Sequence, residues 1–108
     1  MTTTTIDMPK VTQMLDAGWL VCLAKNDLGT YFAEATHEKE IVWTRAKDKW
    51  SKLLTDAGWE YEQCELLLSA DWGHPGVVET DDRTPEQALT RLAYKVHGEM
   101  PPDSEATP

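Results

Sequence analysis

Residues 19–36 read WLVCLAKNDLGTYFAEAT, and this stretch decides the fold. Residues 19–24 are apolar at every position, which is typical of a strand that is buried on both faces. Residues 26–29 have the composition of a tight turn, and residues 30–36 are a second β-prone run. The stretch therefore predicts a β-hairpin whose first strand is buried.

Apolar residues recur at helical spacing in three other segments, which predict three amphipathic helices. Each begins at a residue able to cap a helix N-terminus and ends at a glycine, which favours the left-handed cap conformation. The predicted boundaries are Asp7 and Gly18, Thr44 and Gly58, and Thr84 and Gly98.

Three shorter runs complete the predicted elements. Residues 41–43 and 77–80 are β-prone, and residues 59–68 are interpreted as a strand, with a helical turn as the alternative. The order α-β-β-(β)-α-β-β-α predicts an α+β domain. We expect a mainly antiparallel sheet of four to five strands with about three helices packed on one face.

The length of 108 residues suits one domain, which we place at residues 7–98. Residues 1–6 and 99–108 are polar or proline-bearing and are predicted to be flexible tails. Nothing in the sequence predicts a membrane span or a secretion signal, so a cytoplasmic location is expected.

Charge is distributed unevenly along the chain, whose formal net charge is −9. Eight acids and seven bases precede Glu60, whereas eleven acids and three bases follow from Glu60 onward. This excess argues against binding to a phosphate backbone, which depends on Lys and Arg. A partner protein with a basic surface fits better, and the alternative is that the charge simply maintains solubility.

Residues able to carry catalysis are few. Cys22 lies in an apolar strand and Cys64 lies near acids, so neither is predicted to be a nucleophile. The densest polar cluster consists of Asp71, His74, Asp81 and Asp82, whose spacing matches no established metal motif. We therefore expect no enzyme activity, no cofactor and no metal, with a small metal protein built on this cluster as the alternative.

Trp72 is the predicted anchor for a partner, because aromatic residues in exposed loops often dominate interfaces. Its alternative is to fold back as a lid over the sheet. The acids predicted to surround it in the binding surface are Glu60, Glu62, Glu65, Asp71, Glu79, Asp81 and Asp82.

Two other interpretations remain open. The second helix carries Arg45, Lys47, Lys49 and Lys52, which could form a nucleic-acid-binding face, although a solvated helix face has the same composition. Exposed tryptophan and strand edges could instead serve a self-associating subunit, or homodimer.

A four-residue string recurs: residues 16–19 and 56–59 both read DAGW. Each copy lies at the end of a predicted helix. Duplication of an αββ unit would explain the recurrence, and so would the general preference for glycine at helix C-termini.

Residues 84–89 read TPEQAL and follow a hairpin that opens at Gly18-Trp19 and turns at residues 26–29. This layout resembles small proteins of bacteriophages and prophages, in which a strand hairpin is followed by a helix beginning T-P-E-x-A-L. The resemblance implies an accessory protein that inhibits a host protein, such as a defence nuclease or a polymerase, in the manner of an anti-CRISPR. The acidic half could then act as a nucleic-acid mimic in a channel lined with Lys and Arg.

Overall fold

The computed structural model describes residues 6–73 and 76–100. Its elements are α1 (Met8–Asp16), β1 (Leu20–Lys25), β2 (Tyr31–Thr36), α2 (Glu40–Asp56), α3 (Tyr61–Asp71), β3 (Val77–Asp82) and α4 (Pro85–Val96). The predicted α+β class is confirmed. The described residues form four helices and three strands, where about three helices and four to five strands were expected.

The three strands form one antiparallel sheet in the order β1-β2-β3. The predicted hairpin is present: the Asn26 N–H donates to the Thr30 carbonyl at 2.9 Å. The Asn26 side-chain oxygen also accepts from the backbone N–H groups of Leu28 and Thr30, which fixes the turn.

Helix α4 packs on β2 and β3 and forms the centre of the core. The contact surfaces consist largely of small side chains, which allow the helix to approach the sheet closely. The small side chains that are fully buried are Ala33 and Ala35 of β2 and Ala88 and Ala93 of α4, and the larger side chains of Val78 of β3 and Leu92 of α4 are fully buried with them. Helices α1 and α2 pack on α4, and α3 packs on α2.

The strand predicted at residues 41–43 is wrong, because these residues belong to α2. The helix begins at Glu40 after Lys39, and Thr44 is therefore an interior residue rather than the N-cap. Trp43 is buried at helical spacing from Trp50, so tertiary packing overrides the β propensity of the preceding Ile-Val pair.

The strand predicted at residues 59–68 is also wrong, and the helical alternative holds, because α3 spans Tyr61–Asp71. The Gln63 side-chain oxygen accepts from the Glu60 backbone N–H at 3.2 Å, which is half of a capping box. Cys64 and Leu68, one turn apart, provide the buried side of the helix.

Strand β1 is not the buried strand that its apolar sequence predicts. It lies at the edge of the sheet, where its only strand neighbour among the described residues is β2. Cys22 is exposed, and Leu20 is 71 % exposed. Sequence composition indicates how apolar a strand is, whereas its burial depends on which elements the chain brings to it.

The two DAGW strings form the same helix cap. Gly18 and Gly58 both adopt a positive φ, 95° and 97°, and the N–H of the following tryptophan reaches back to a carbonyl in the preceding helix. Beyond the cap the chain enters β1 in one case and α3 in the other. The recurrence therefore follows from local helix termination, which requires no duplicated unit.

Asp7 joins α1 to α4. Its carboxylate accepts a 2.6 Å bond from the Tyr94 hydroxyl and a 3.2 Å bond from the Lys10 N–H, and its own N–H donates to the Thr90 hydroxyl. The hydrogen bonds from Tyr94 and Lys10 hold the pKa of Asp7 below its usual value. Glu99 is the first residue of the predicted C-terminal tail, and its carboxylate lies 2.8 Å from the Lys10 ammonium.

This geometry predicts an acid-sensitive contribution to stability. Because the pKa of Asp7 is lower in the folded chain, its contribution is fully present above the ordinary aspartate pKa and is lost as pH falls through the lowered pKa of the folded state. We expect Asp7→Ala to lower the free energy of unfolding by about 1–2 kcal/mol at pH 7, through loss of the cap and of the Tyr94 bond. Urea unfolding at pH 7 and pH 3 measures both effects. Equal loss of stability at pH 3 in the native chain and in Asp7→Asn would contradict the assignment.

Candidate functional site

Trp72 is buried, which corrects the prediction that it is an exposed anchor. It follows the last turn of α3 and is 1 % exposed. Its ring lies edge-on to that of Trp43, with 5.8 Å between centroids. The alternative prediction, that the tryptophan folds back onto the domain, is correct. Trp72 therefore has almost no surface that a partner could contact.

Asp71 does not belong to an open acidic surface either, because it is paired with a buried lysine. The Lys95 ammonium, on a residue 7 % exposed, donates to the Asp71 carboxylate at 2.8 Å and to the Glu79 carbonyl at 3.2 Å. Burial lowers the pKa of Lys95, although the Asp71 carboxylate acts in the opposite direction. The three groups connect α3, β3 and α4.

The acids of β3 are also divided. The Asp82 carboxylate lies 3.4 Å from the Arg91 guanidinium, and Asp81 is exposed on the sheet face opposite α4. Glu79 is half-buried opposite Glu34 of β2. The seven acids predicted as one surface therefore separate into a group on α3 and a group on β3.

The remaining acids lie together at the start of α3. Glu60, Glu62 and Glu65 are exposed, and within residues 6–73 and 76–100 none of them forms an ion pair. Glu62 and Glu65 share the outward side of α3, opposite Cys64. These carboxylates are available to a basic partner.

Exposed apolar residues surround these acids. Trp59 is 42 % exposed, and Tyr61 and Leu66 are more exposed still. Trp59 and Gln63, with Ala57 and Gly58, line an open depression of about 250 Å³ where α2 meets α3. We call Trp59, Glu60, Tyr61, Glu62, Glu65 and Leu66 the α3 patch.

Sequence reasoning missed Trp59 and selected Trp72 instead. A glycine cap precedes Trp59 as it precedes Trp19, and Trp19 is buried beside His37, with 5.1 Å between ring centroids. The acidic residues that follow Trp59 are the one signal that could have placed it at the surface, because such residues are rarely buried unpaired.

The basic residues of α2 do not form one face. Arg45, Lys49 and Lys52 lie at helical spacing on one side, where Lys52 pairs with Asp56 at 3.2 Å. Lys47 lies on the other side, with its ammonium 5.3 Å from the centre of the Trp43 ring. The predicted nucleic-acid face is therefore reduced to three bases with an acid among them.

The acid and histidine cluster brings no ligand set together among the described residues. His74 lies outside them, and Asp71 is engaged by Lys95. Across residues 6–73 and 76–100, no three His, Cys, Asp or Glu side chains converge as they do around a metal ion. None of the helices in this part of the chain is long and apolar enough to cross a membrane.

Comparison of the chain with protein-family models, with curated proteins and with solved structures finds no match.

Proposed function

We propose that the chain is a non-enzymatic binding protein whose α3 patch contacts a basic surface on a partner protein. The observation that carries this proposal is the group of three exposed carboxylates, Glu60, Glu62 and Glu65, beside the exposed rings of Trp59 and Tyr61. Apolar anchors next to unpaired charges are common in protein interfaces.

The α3 patch has the chemistry to receive Lys and Arg side chains. A cation over the face of an exposed tryptophan is attracted by the ring, and neighbouring carboxylates add charge-assisted hydrogen bonds. The depression beside Trp59 gives such a side chain a place to lie against the ring. The net charge of −9 strengthens the attraction over distance.

The partner class we propose is a host nucleic-acid-handling or defence protein, with the chain acting as a phage-type inhibitor. This follows from the resemblance of the hairpin and the TPEQAL helix to small phage proteins. Channels that hold nucleic acid are lined with Lys and Arg, so carboxylates presented by α3 could occupy the positions of phosphates.

The first experiment is capture from bacterial lysate on the immobilised chain at low and high salt, with mass spectrometry of the retained proteins. We expect a basic nucleic-acid-handling protein that is released by salt, because exposed charges are screened as ionic strength rises. Retention of the same proteins at high salt would contradict the proposal.

Variants of the captured complex then locate the surface. We expect the triple charge reversal Glu60→Lys, Glu62→Lys and Glu65→Lys to weaken binding by roughly 10- to 100-fold at low salt, and Trp59→Ala to weaken it about fivefold or more. The matched control reverses three exposed acids outside the α3 patch: Asp16, Asp27 and Asp48. Both triples change the net charge from −9 to −3. Equal weakening by the two triples would show a general charge effect and exclude the α3 patch as the contact.

A further inference from the structure

The two edges of the sheet differ in how their backbone groups are satisfied. At the β3 edge, the Trp43 indole N–H donates to the Val77 carbonyl at 2.9 Å, and the Lys95 ammonium donates to the Glu79 carbonyl at 3.2 Å. Side chains from α2 and α4 therefore occupy this edge, which is a common way to protect it from further strand pairing.

The β1 edge has no such protection within the part of the chain that the structure describes. In the hairpin the Asn26 N–H bonds to the Thr30 carbonyl, and the backbone groups of successive strand residues point in alternating directions. The backbone N–H and C=O groups of the even-numbered β1 residues therefore point toward β2. The backbone N–H and C=O groups of Val21 and Leu23 point away from the sheet, and Leu23 is 43 % exposed. An uncovered apolar edge of this kind is a template for another strand.

We propose that a second copy of the chain pairs with β1 in antiparallel orientation, about a two-fold axis at Cys22. The outward backbone N–H and C=O groups of one copy must bond to the outward groups of the other, and in both copies these belong to odd-numbered residues. Every register that pairs an odd-numbered residue with an even-numbered one is therefore excluded. Centring on Cys22 pairs Leu20 with Ala24 and Val21 with Leu23 of the other copy. Every pair among residues 20–24 is then apolar and Lys25 falls opposite Trp19, beyond the strand, whereas centring on Leu23 would place Lys25 opposite Val21 within it.

Charge favours a second copy as the occupant of this edge. Residues 19–24 carry no charge, and the acidic α3 contacts β3 at the opposite edge of the sheet. Two chains of charge −9 can therefore approach through an edge strand whose first five residues, 20–24, are uncharged. The antiparallel arrangement keeps the two Lys25 residues about 20 Å apart, as six strand residues separate them in register.

The pairing would produce one continuous six-stranded sheet. Leu20, Cys22 and Ala24 of both copies would lie side by side on the face opposite α4, where their neighbours on β2 are Thr36, Glu34 and Phe32. Contacts of this kind gain from apolar burial and backbone hydrogen bonds, so added salt should not dissociate them. The dimer is thus distinguishable from binding through the α3 patch.

Sedimentation of the full chain from about 10 µM to 1 mM tests the association. An interface formed by one pair of short strands is small, so we expect the association to be weak. We expect a concentration-dependent dimer, and we expect Leu23→Lys to raise its dissociation constant at least tenfold, because a lysine on an edge opposes pairing. Ile41→Lys is the matched control, on an apolar residue that is 55 % exposed in α2 and belongs neither to β1 nor to the α3 patch. A monomer at every concentration, or an equal effect of both variants, would overturn the proposal.

Disulfide formation tests the register. In a pair centred on Cys22, the two Cα atoms lie about 4.5 Å apart, which a disulfide can span. Diamide should oxidise the two thiols, accepting their two electrons and two protons, to give a covalent dimer. Cys64→Ser should still cross-link, because Cys64 is buried, and Cys22→Ser should not. Faster cross-linking of Leu23→Cys in the Cys22→Ser background than of the native chain would overturn the register.

Discussion

Replacing Trp72 by alanine is expected to lower the free energy of unfolding by about 3–5 kcal/mol, the range for removal of a buried aromatic side chain. Trp72 is among the largest fully buried side chains and contacts Trp43 across the core. For a domain of this size such a loss shifts the thermal midpoint downward by roughly 10–30 °C. Thermal and urea unfolding followed by circular dichroism measure it.

Two matched variants separate the contribution of the buried ring to stability from that of the indole N–H and from that of a tryptophan at the surface. Trp72→Phe retains most of the apolar ring and removes the indole N–H, which has no hydrogen-bond partner among the described residues, so we expect less than half the loss. Trp59→Ala removes the same residue type from the surface and should cost less than about 1 kcal/mol. If Trp72→Ala were as mild as Trp59→Ala, Trp72 would not be a core residue.

Removing Asp71 is expected to produce the second largest effect, because it leaves the Lys95 ammonium buried without its carboxylate. The Glu79 carbonyl and the Trp50 ring, whose centre lies 5.6 Å away, would remain in contact with it, and the Asp81 carboxylate would still attract it from farther away. Breaking a buried pair costs about 3–5 kcal/mol, and because Asp71 is partly exposed we expect Asp71→Ala to cost about 2–3 kcal/mol. Urea unfolding at pH 7 measures it.

Lys95→Met is the matched variant, because it retains the methylene chain and removes the charge. We expect its stability to remain within about 1 kcal/mol of the native chain. In the Lys95→Met background, Asp71→Ala should then have little effect, since no buried charge is left unpaired. A full loss in the double variant would show that Asp71 acts independently of Lys95.

The pH dependence of the native chain provides a further check. Because burial lowers the pKa of Lys95, the unfolded chain binds more protons than the folded chain between the lowered pKa of the folded state and the ordinary lysine pKa. Stability from this group therefore rises with pH through that window, and it is lowest below the folded pKa. Lys95→Met should lack the rise, and identical pH profiles for the two proteins would contradict the assignment.

Local chemistry made part of the fold predictable. The hairpin followed from the Asn26 turn, and the start of α4 followed from Thr84, whose hydroxyl accepts from the Gln87 N–H at 3.1 Å as the sequence suggested. These features depend on residues close together in the chain. The beginning of α2 was mispredicted and α3 was predicted only as the alternative to a strand, because the burial of Trp43 and Cys64 depends on other elements of the fold.

The candidate site was less predictable than the fold. The acids of the C-terminal half were identified by charge, but their separation depends on Lys95 and Arg91, which withdraw Asp71 and Asp82 into ion pairs. The choice between Trp59 and Trp72 depended on which end of α3 faces the core. Neither the ion pairs of these acids nor the orientation of α3 can be inferred from the sequence pattern.

The position of β3 in the chain has a consequence during synthesis. The β1–β2 hairpin is complete once Thr36 has been synthesised. Its second strand, β2, is central in the finished sheet and can pair with β3 only after residues 37–76 have also been synthesised. At about 5–20 residues per second, this interval lasts roughly 2–8 s. A nascent chain on the ribosome would thus expose both faces of an apolar hairpin to neighbouring chains, so a chaperone that binds the chain during synthesis should favour recovery of native protein.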